Sequence, residues 1–336
     1  MTFRDEEKVK RLNAVFSLNF KITEMYALYL ERFPEVINSE MMTELCSGGD
    51  ISEEAGIVAL LAEIFGISAD RSAEDRRIIR DYLTPSVRIL DSKKYTENPY
   101  YRNIKIRDVK DGNWELKQEC YPAYRGMICH DMMLLDDFRE VPPLGFFRED
   151  FHFPAVLEGG NEWMTLTPVD LDTCEEAIRH AHGRVVTFGL GLGYYAYMAS
   201  IKDDVDSVTV IEKSEDVIRL FKKHIFPQFP HPDKVNVICA DAFEYAEQAM
   251  PSESFDLAFV DTWRDASDGA YMYARMKGLE RLSPNTEFIY WIENFLISRH
   301  RALAYCDMMD KLDAAAPDAP KSYEEIERRL RNPLSL

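Results

Sequence analysis

The sequence has few basic residues for its length, and this shortage limits the partners that suit it. Lysine and arginine number 40 among 336 residues, against 59 aspartates and glutamates, so the formal net charge is −19. Nucleic acids and anionic membranes attract proteins through clustered Lys and Arg, and this balance therefore argues against both as partners. Small molecules, cationic groups and other proteins remain compatible with the charge.

The sequence also lacks the patterns of several protein classes. None of its six cysteines stands at C-x-x-C spacing to another, which argues against a zinc site or a redox pair. Signatures of serine hydrolases, phosphate-loop NTPases and zinc metalloproteases are missing as well. The uncharged stretch Val185–Ile201 is short for a membrane span and holds three glycines. Residues 1–8 carry charges where a signal peptide needs an apolar core, so we expect a cytoplasmic protein.

What is present indicates a folded chain of several segments. Hydrophobic residues make up 46% of the sequence, and the length suggests about two domains. The predicted secondary structure changes twice along the chain and divides it into three consecutive segments. Residues 1–95 predict a helical module, and residues 96–170 predict a β-rich segment that covers a cleft. Residues 171–336 predict an α/β domain that ends in a helical tail.

The middle segment predicts strands joined by hairpin turns. Asp111-Gly112 is a turn dipeptide between two strand-like runs, and Glu158–Asn161 contains two adjacent glycines. The strands predicted here are Tyr100–Ile106, Trp114–Tyr121, Met127–Leu135, Ala155–Leu157 and Trp163–Leu166.

Strands and helices alternate after residue 171, which is typical of a doubly wound parallel sheet. One predicted helix, Glu215–His224, follows the second strand, and another, Phe243–Met250, follows the third. Residues 296–333 look wholly helical, so no further edge strand is predicted. The five predicted strands are Val185–Phe188, Ser207–Ile211, Val235–Ala240, Leu257–Val260 and Glu287–Ile292.

A glycine loop directly follows the first strand of this sheet. Gly189, Gly191 and Gly193 alternate with leucines, and a helical pattern follows them. Glycines at this place let the backbone turn sharply and approach a nucleotide-like ligand without an intervening Cβ. We therefore predict a ligand-binding loop that includes Leu190. Because Gly191, Gly193 and Ala196 also fit G-x-G-x-x-A, a NAD-dependent oxidoreductase remains an alternative.

Acidic residues end the next three strands. Glu212 comes 19 residues after Gly193, where doubly wound folds place a carboxylate that binds ribose hydroxyls. Asp241 ends the third strand and Asp261 the fourth; for Asp241, capping of the following helix is an equal alternative. Since the carboxyl ends of neighbouring parallel strands meet at one crevice, we predict that these carboxylates line one ligand site.

The glycine loop, Glu212, Asp241-Ala242 and Asp261, in this order, resemble the class I S-adenosylmethionine-dependent methyltransferases, which have a Rossmann-like fold. The resemblance covers about residues 167–293. It implies that the loop holds the methionine part of the cofactor, Glu212 the ribose and Asp241 the adenine. It also implies that Asp261 lies near the amino group or the substrate. Further candidates for cofactor contacts are Lys213, Ala242 and Thr167.

The resemblance predicts methyl transfer from S-adenosylmethionine to a small-molecule or protein acceptor that the sequence does not identify. In such a transfer the protein mainly aligns and desolvates the reactants. Asp261, Trp263 and Tyr194 are the candidate catalytic residues on the substrate side. No metal is predicted, and the sequence is compatible with a homo-oligomer.

Two other functions remain open. A β-rich segment before the core, and acidic residues after the fourth strand, also resemble the spermidine synthase group. This alternative is an aminopropyltransferase that uses decarboxylated S-adenosylmethionine, although Leu190 and Leu192 stand where that group has an aspartate among its glycines. The other alternative is a non-catalytic S-adenosylmethionine-binding module, because Thr262-Trp263-Arg264 replaces the Asn/Asp-Pro-Pro-aromatic signature of amine-modifying methyltransferases.

Overall fold

The structure is a computed structural model that describes residues 3–334, with side chains from residue 5 onward. Its helices are α1 (Phe3–Arg32), α2 (Ser39–Cys46), α3 (Glu53–Ile64), α4 (Ala73–Ile78), α5 (Thr84–Ser86), α6 (Ser92–Thr96), α7 (Pro99–Asn103), α8 (Pro168–His180), α9 (Tyr194–Ser200), α10 (Glu215–His224), α11 (Ala242–Glu244), α12 (Ala266–Leu279), α13 (Glu293–Asp313) and α14 (Tyr323–Arg331). Its strands are β1 (Val87–Leu90), β2 (Val109–Asp111), β3 (Trp114–Tyr121), β4 (Met127–Ile128), β5 (Met133–Leu134), β6 (Glu140–Val141), β7 (Leu144–Phe147), β8 (Phe151–Glu158), β9 (Asn161–Thr165), β10 (Gly183–Phe188), β11 (Val205–Glu212), β12 (Val235–Cys239), β13 (Leu257–Val260) and β14 (Glu287–Tyr290).

The chain forms two compact units, and each unit is assembled from separate stretches of sequence. Unit 1 combines the residues up to Leu90 with residues 122–149 and the residues from Ile292 onward. Unit 2 combines residues 91–121 with residues 150–291. The sequence predicts three consecutive segments, whereas in the structure the C-terminal helices join the unit of the N-terminal helices. An apolar cluster makes this connection through Leu12, Phe16, Ala304, Met308, Ile326 and Leu330.

Unit 1 is mainly helical, with a small sheet in which β7 pairs with β1 in parallel and with β4 in antiparallel orientation. Helix α1 presents a stripe of apolar residues three or four positions apart, which is the spacing of one helix face. Buried Asn19 interrupts this stripe: its Nδ2 donates to the Phe138 carbonyl at 2.8 Å, and its Oδ1 accepts from the Tyr82 hydroxyl at 3.0 Å. Its polar atoms are thereby satisfied inside the core.

Unit 2 contains an antiparallel sheet in the order β2-β3-β8-β9. The turn predicted at Asp111-Gly112 is observed, with Asp111 paired to Trp114, but the strand before it is Val109–Asp111 and not residues 100–106. The hairpin predicted at Glu158–Asn161 is confirmed, since β8 pairs with β9 across Gly159 and Gly160. All three of these glycines have positive φ, as such tight turns require.

Two strands predicted in the segment 96–170 differ from the structure. Met127–Leu135 is not one strand: it contains the short strands β4 and β5, which belong to different sheets. Residues 100–106 were expected to form a strand, but helix α7 occupies Pro99–Asn103. The Asn98 side chain accepts the Tyr100 N–H at 2.9 Å, and Pro99 is the first residue of the helix. An asparagine cap followed by proline is a helix-start signal, and here it outweighs the strand preference of the tyrosines.

The second sheet of unit 2 has five parallel strands in the order β12-β11-β10-β13-β14. Numbered along the chain, this order is third, second, first, fourth and fifth, which is typical of doubly wound α/β folds. The predicted parallel sheet is therefore confirmed. The helix predicted at Phe243–Met250 is instead a short α11 followed by π and 3₁₀ turns. Between residues 293 and 334, the structure shows α13 and α14 and no strand.

Strand β10 lies at the centre of this sheet, which explains its sequence. Val185, Val186, Thr187 and Phe188 are buried, because β11 and β13 flank the strand in the sheet and helices cover it. Strands buried in this way are continuous apolar runs and do not alternate with polar residues. The chain reverses its direction of strand addition between β10 and β13, and in such folds a crevice opens at this point, outside the carboxyl ends of the strands.

Candidate functional site

A cavity of about 620 Å³ lies at the carboxyl ends of the parallel strands, entirely within unit 2. Each strand supplies at least one lining residue at its end or just beyond it. Gly189 follows β10, Glu212 ends β11, Asp241 follows β12, Asp261 follows β13 and Trp291 follows β14. The cavity is within the size range of small-molecule sites, which supports a ligand site at the predicted crevice.

The hairpin of β8 and β9 forms another part of the cavity wall. Glu158, Glu162, Trp163, Met164 and Thr165 line the cavity from this side. The loop after β13 and the helix that follows it complete the lining with Thr262, Trp263, Arg264, Asp265, Asp268 and Met272. The predicted loop residues Leu190 and Gly191 line the cavity, and so do Lys213 and Ala242.

The glycine loop packs so closely that a Cβ at any of its three glycines would come within 2.4 Å of another atom. At Gly191 this atom is Sδ of the flexible Met164 side chain, 2.3 Å away. Gly189 has φ +101°, and a Cβ there would lie 1.9 Å from the carbonyl oxygen of Asp261. Gly193 has φ +78°, and a Cβ there would lie 2.4 Å from the ring of Phe221. Gly189 therefore holds the loop against the end of β13. Gly193 is the N-cap of α9 and does not line the cavity.

Glu212 connects the glycine loop to the start of α10. Its Oε2 accepts the Leu190 N–H at 3.2 Å, and its Oε1 accepts the Ser214 N–H at 2.8 Å. Only 7% of the residue is exposed. A carboxylate offers about four lone-pair positions, and these two bonds leave positions on both oxygens for a ligand. The side chain is thus fixed in orientation and still able to accept hydrogen bonds.

Asp241 caps α11 and also lines the cavity. Its Oδ1 accepts the N–H groups of Phe243 at 2.9 Å and of Glu244 at 3.1 Å. Both interpretations of this residue from the sequence are therefore compatible with its position. Lys213 and Ala242 stand beside the two carboxylates at the same edge of the sheet, and the Lys213 side chain is exposed.

Asp261 and Asp170 are the two carboxyl groups whose pKa the site raises most. Loss of hydration raises the pKa of Asp261 well above its usual range, and the charges of Asp170 and Glu212 add to this. Loss of hydration also raises the pKa of Asp170, to about 6, against the opposing effect of its bonds from Thr167. The Thr167 N–H and hydroxyl donate to Asp170 Oδ2 at 2.7 and 2.9 Å. Thr167 is therefore the cap of α8 and is buried away from the cavity lining.

The other two candidate catalytic residues lie in different places. Trp263 lines the cavity; it is 5% exposed, and its Nε1 has no hydrogen-bond partner among the residues described. Tyr194 does not line this cavity. Its hydroxyl accepts from Asn98 Nδ2 at 3.1 Å, and its ring borders a separate chamber of about 20 Å³. The structure thus brings Trp263 and Asp261 together at the site and leaves Tyr194 behind the glycine loop.

Sequence reasoning missed several residues of the cavity wall. Three of the four tryptophans of the chain line it, and of these Trp263 is predicted from the sequence, whereas Trp163 and Trp291 are not. Trp291 follows β14 directly. Asp261 was selected from the sequence because it follows the end of a strand, and the same criterion selects Trp291 when the strand ends at Tyr290 instead of Ile292. Asp170 lies in the first turn of α8, where the sequence indicates only that it can form a capping box with Thr167. Trp163 lies on a hairpin that no local pattern connects to the sheet.

We expect the raised pKa of Asp261 to make unit 2 less stable as the pH rises. Its folded-state pKa is above its unfolded value of about 3.9, so stability falls with increasing pH between these two values, by at most about 1.4 kcal/mol per pH unit. Asp261→Asn cannot ionise and should lose this part of the pH dependence. Urea unfolding from pH about 5 to about 8 measures the effect. Asp203→Asn, at an exposed position of unit 2, is the control that should keep the wild-type slope.

Within residues 3–334, no helix is long and apolar enough to cross a membrane. The same residues contain no group of three or more His, Cys, Asp or Glu side chains arranged to hold a metal ion.

The three solved structures described below are only distantly similar to this chain. No protein-family model matches the chain, and no curated protein matches it. Among solved structures, precorrin 8W decarboxylase of Methanobacterium thermoautotrophicum is 17% identical, with 35% of this chain and 60% of that chain covered and a TM-score of 0.27. A spermidine synthase in complex with the transition-state analogue AdoDATO is 14% identical, with 46% and 59% covered and a TM-score of 0.31.

Spermidine synthase of Thermotoga maritima is 12% identical, with 60% of this chain and 65% of that chain covered and a TM-score of 0.31. In each case the similarity spans less than two thirds of the solved chain. Similarity at this level identifies neither a family nor an activity.

Proposed function

We propose that this chain binds S-adenosylmethionine in the cavity of unit 2 and transfers its methyl group to an acceptor. The observation that carries the proposal is the arrangement at the strand ends. The tight glycine loop and Glu212 lie side by side, joined by the bond from the Leu190 N–H, and the carboxylates of Asp241 and Asp261 line the same cavity. This arrangement suits a ligand with a nucleoside at one end and a cationic centre at the other.

The donors and acceptors present fit such a ligand. The free lone pairs of Glu212 accept hydrogen bonds from ribose hydroxyls, and Asp241 accepts from an exocyclic adenine amine. Phe243 supplies an aromatic surface beside the Asp241 position. The unpartnered indole N–H of Trp263 supplies a donor for an acceptor atom of the ligand or substrate. A buried polar atom without a partner is costly, and a bound polar group removes that cost.

The residues of the chain have three tasks in the transfer. When bound, S-adenosylmethionine supplies a methyl carbon that leaves its sulfur as the lone pair of the acceptor bonds to it. The cavity walls align the acceptor with that carbon and exclude water, which accounts for most of what such a reaction needs from a protein. Asp261 accepts a proton where the acceptor atom carries one.

A second candidate is aminopropyl transfer from decarboxylated S-adenosylmethionine, and the charge of the cavity favours it. Eight of the lining residues are acidic and only two, Lys213 and Arg264, are basic. A donor without a carboxylate, and an amine acceptor, both suit negative surroundings. The acidic residues are Glu158, Glu162, Asp170, Glu212, Asp241, Asp261, Asp265 and Asp268.

Isothermal titration calorimetry with four compounds separates the candidates. We expect S-adenosylmethionine and S-adenosylhomocysteine to bind at least about tenfold more tightly than NAD, a difference of about 1.4 kcal/mol. Tighter binding of decarboxylated S-adenosylmethionine would favour the aminopropyltransferase. Binding of NAD without any adenosyl compound would refute both candidates. If S-adenosylmethionine binds but is not consumed with amine, hydroxyl, thiol or protein acceptors, the non-catalytic module is favoured.

A further inference from the structure

Asp170 and Asp261 stand in a wall that is shared by two cavities of unit 2. Both line the 620 Å³ cavity, and both line the chamber of about 20 Å³ behind the glycine loop. The chamber has room for about one water molecule. The residues found to line it include no Lys, Arg or His. The two carboxyl groups therefore line the same chamber, and no cationic side chain lines it with them.

The other titratable groups around the pair do not supply a positive charge either. Glu212 at the end of β11 raises the pKa of Asp261, and Glu162 on the hairpin raises the pKa of Asp170. Cys174 of α8, with Tyr194 and Tyr195 of α9, also lines the chamber. Burial raises the pKa of all three, so all three are neutral near pH 7.

Two basic side chains, Lys213 and Arg264, line the larger cavity, and neither of them lines the chamber. Arg264 lies 3.7 Å from the Asp268 carboxylate, and Lys213 extends from the strand edge with an exposed side chain. Like charges that share a partly dehydrated site do not both ionise readily, and the protons leave such a pair in two separate steps.

A second feature of the cavity points independently to a bound ligand. The indole of Trp263 is 5% exposed, lines the cavity and has no partner for its N–H within the described residues. The cavity thus contains a buried hydrogen-bond donor without an acceptor, the Trp263 indole N–H, and two carboxyl groups without a counter-ion, Asp170 and Asp261. A ligand that carries both a positive charge and hydrogen-bond acceptors satisfies both features.

We propose that Asp170 and Asp261 together retain one proton in the free protein, release it to solvent when a sulfonium compound binds, and recover it when the neutral thioether product remains. The pair thereby distinguishes substrate from product by charge and weakens product binding. Asp170 is the new assignment here, as a specificity-determining residue. The inference rests on the proposed function, since it concerns the ligand of the same site.

The proton balance fixes the direction of the pH dependence. Binding that releases a proton strengthens as the pH rises, by up to about tenfold per pH unit for one proton. S-adenosylmethionine carries one more positive charge than S-adenosylhomocysteine, so the ratio of their affinities should rise with pH over the range in which the pair holds its proton. The same linkage requires that a bound sulfonium compound makes the pair more acidic.

Calorimetric titrations in phosphate and in imidazole, buffers of different ionisation enthalpy, measure the protons released. At pH about 6, the pKa of Asp170, and at pH about 7.5, we expect more proton release for S-adenosylmethionine than for S-adenosylhomocysteine. Asp170→Asn keeps a side-chain carbonyl that can accept from Thr167, and it should bring the proton release of the two compounds close to each other. Asp261→Asn is the second variant. Glu176→Gln, at an exposed position of α8, is the matched control and should behave as wild type.

The outcomes separate this inference from the proposed function. If both compounds bind with equal proton release in the wild type, the proposed function stands and the role of the pair is refuted. The same conclusion follows if Asp170→Asn and Asp261→Asn, shown to be folded by tryptophan fluorescence, keep the wild-type difference. If neither compound binds, the proposed function fails and the role of the pair fails with it.

Discussion

Gly189→Ala is expected to lower the free energy of unfolding of unit 2 by about 3 to 5 kcal/mol. Residue 189 has φ +101°, which a side chain rarely adopts, and the added Cβ would lie 1.9 Å from the carbonyl oxygen of Asp261. This oxygen belongs to the backbone and cannot rotate away as a flexible side chain would. The end of β13 and the glycine loop must therefore separate, and the candidate site should be lost together with the stability.

Tryptophan fluorescence during urea unfolding measures this effect selectively. All four tryptophans of the chain lie in unit 2, so their signal reports on that unit alone. Gly160→Ala is the matched control: φ is +82° there, and a Cβ would meet nothing within 4 Å. Gly160→Ala introduces the backbone strain without a steric contact, so its free energy of unfolding should fall by only about 1 to 2 kcal/mol. Equal losses for the two variants would show that the contact with Asp261 does not matter.

The parallel sheet could be predicted from the sequence because its buried strands are continuous apolar runs, a pattern that is visible locally. Strand β13 was predicted at its observed bounds, Leu257–Val260, and helix α10 at Glu215–His224. Residues 257–260 are all buried and form one apolar run, and α10 alternates buried and exposed residues with helical spacing. Where one element's environment fixes its residue pattern, local sequence is sufficient.

Contacts between distant parts of the chain could not be predicted in this way. Tyr100 is buried in α7, with its hydroxyl donating to the Leu192 carbonyl at 2.6 Å and its ring 5.4 Å from that of Tyr197. These contacts join α7 to the glycine loop and to α9, about a hundred residues later. The local strand preference of the tyrosines does not indicate them. The packing of α13 and α14 against α1 within unit 1 has the same character.

The candidate site divides along the same line. Glu212, Asp241 and Asp261 were found because a strand end is a local feature and parallel strands bring their ends together. Asp170 and Trp163 reach the cavity from a helix and a hairpin whose positions depend on tertiary packing. Sequence reasoning therefore located the site, while the carboxyl pair and the tryptophan-rich wall required the structure. Tyr194, chosen for its place after the glycine loop, borders the chamber behind it.

Glu212→Gln is expected to weaken S-adenosylmethionine binding by about a hundredfold or more. The carboxylate is proposed to accept two ribose hydroxyls, and hydrogen bonds to a charged group contribute about 1.5 to 3 kcal/mol each. An amide has one oxygen, so its NH₂ group must face either the Leu190 N–H or the Ser214 N–H, both of which now donate to Glu212. The variant should therefore also lose about 1 to 2 kcal/mol of stability.

Calorimetry at a temperature at which the variant remains folded, verified by tryptophan fluorescence, separates the two losses. Glu215→Gln is the matched control, since Glu215 is exposed in the first turn of α10, three residues further along, and does not line the cavity. It should keep wild-type affinity. Glu212 is joined to the glycine loop by one hydrogen bond, from the Leu190 N–H. A loss of stability without a loss of affinity would therefore show that the Glu212 carboxylate has a structural role only. Unchanged binding in Glu212→Gln would thus remove the ribose assignment, and with it the main support for an adenosyl ligand.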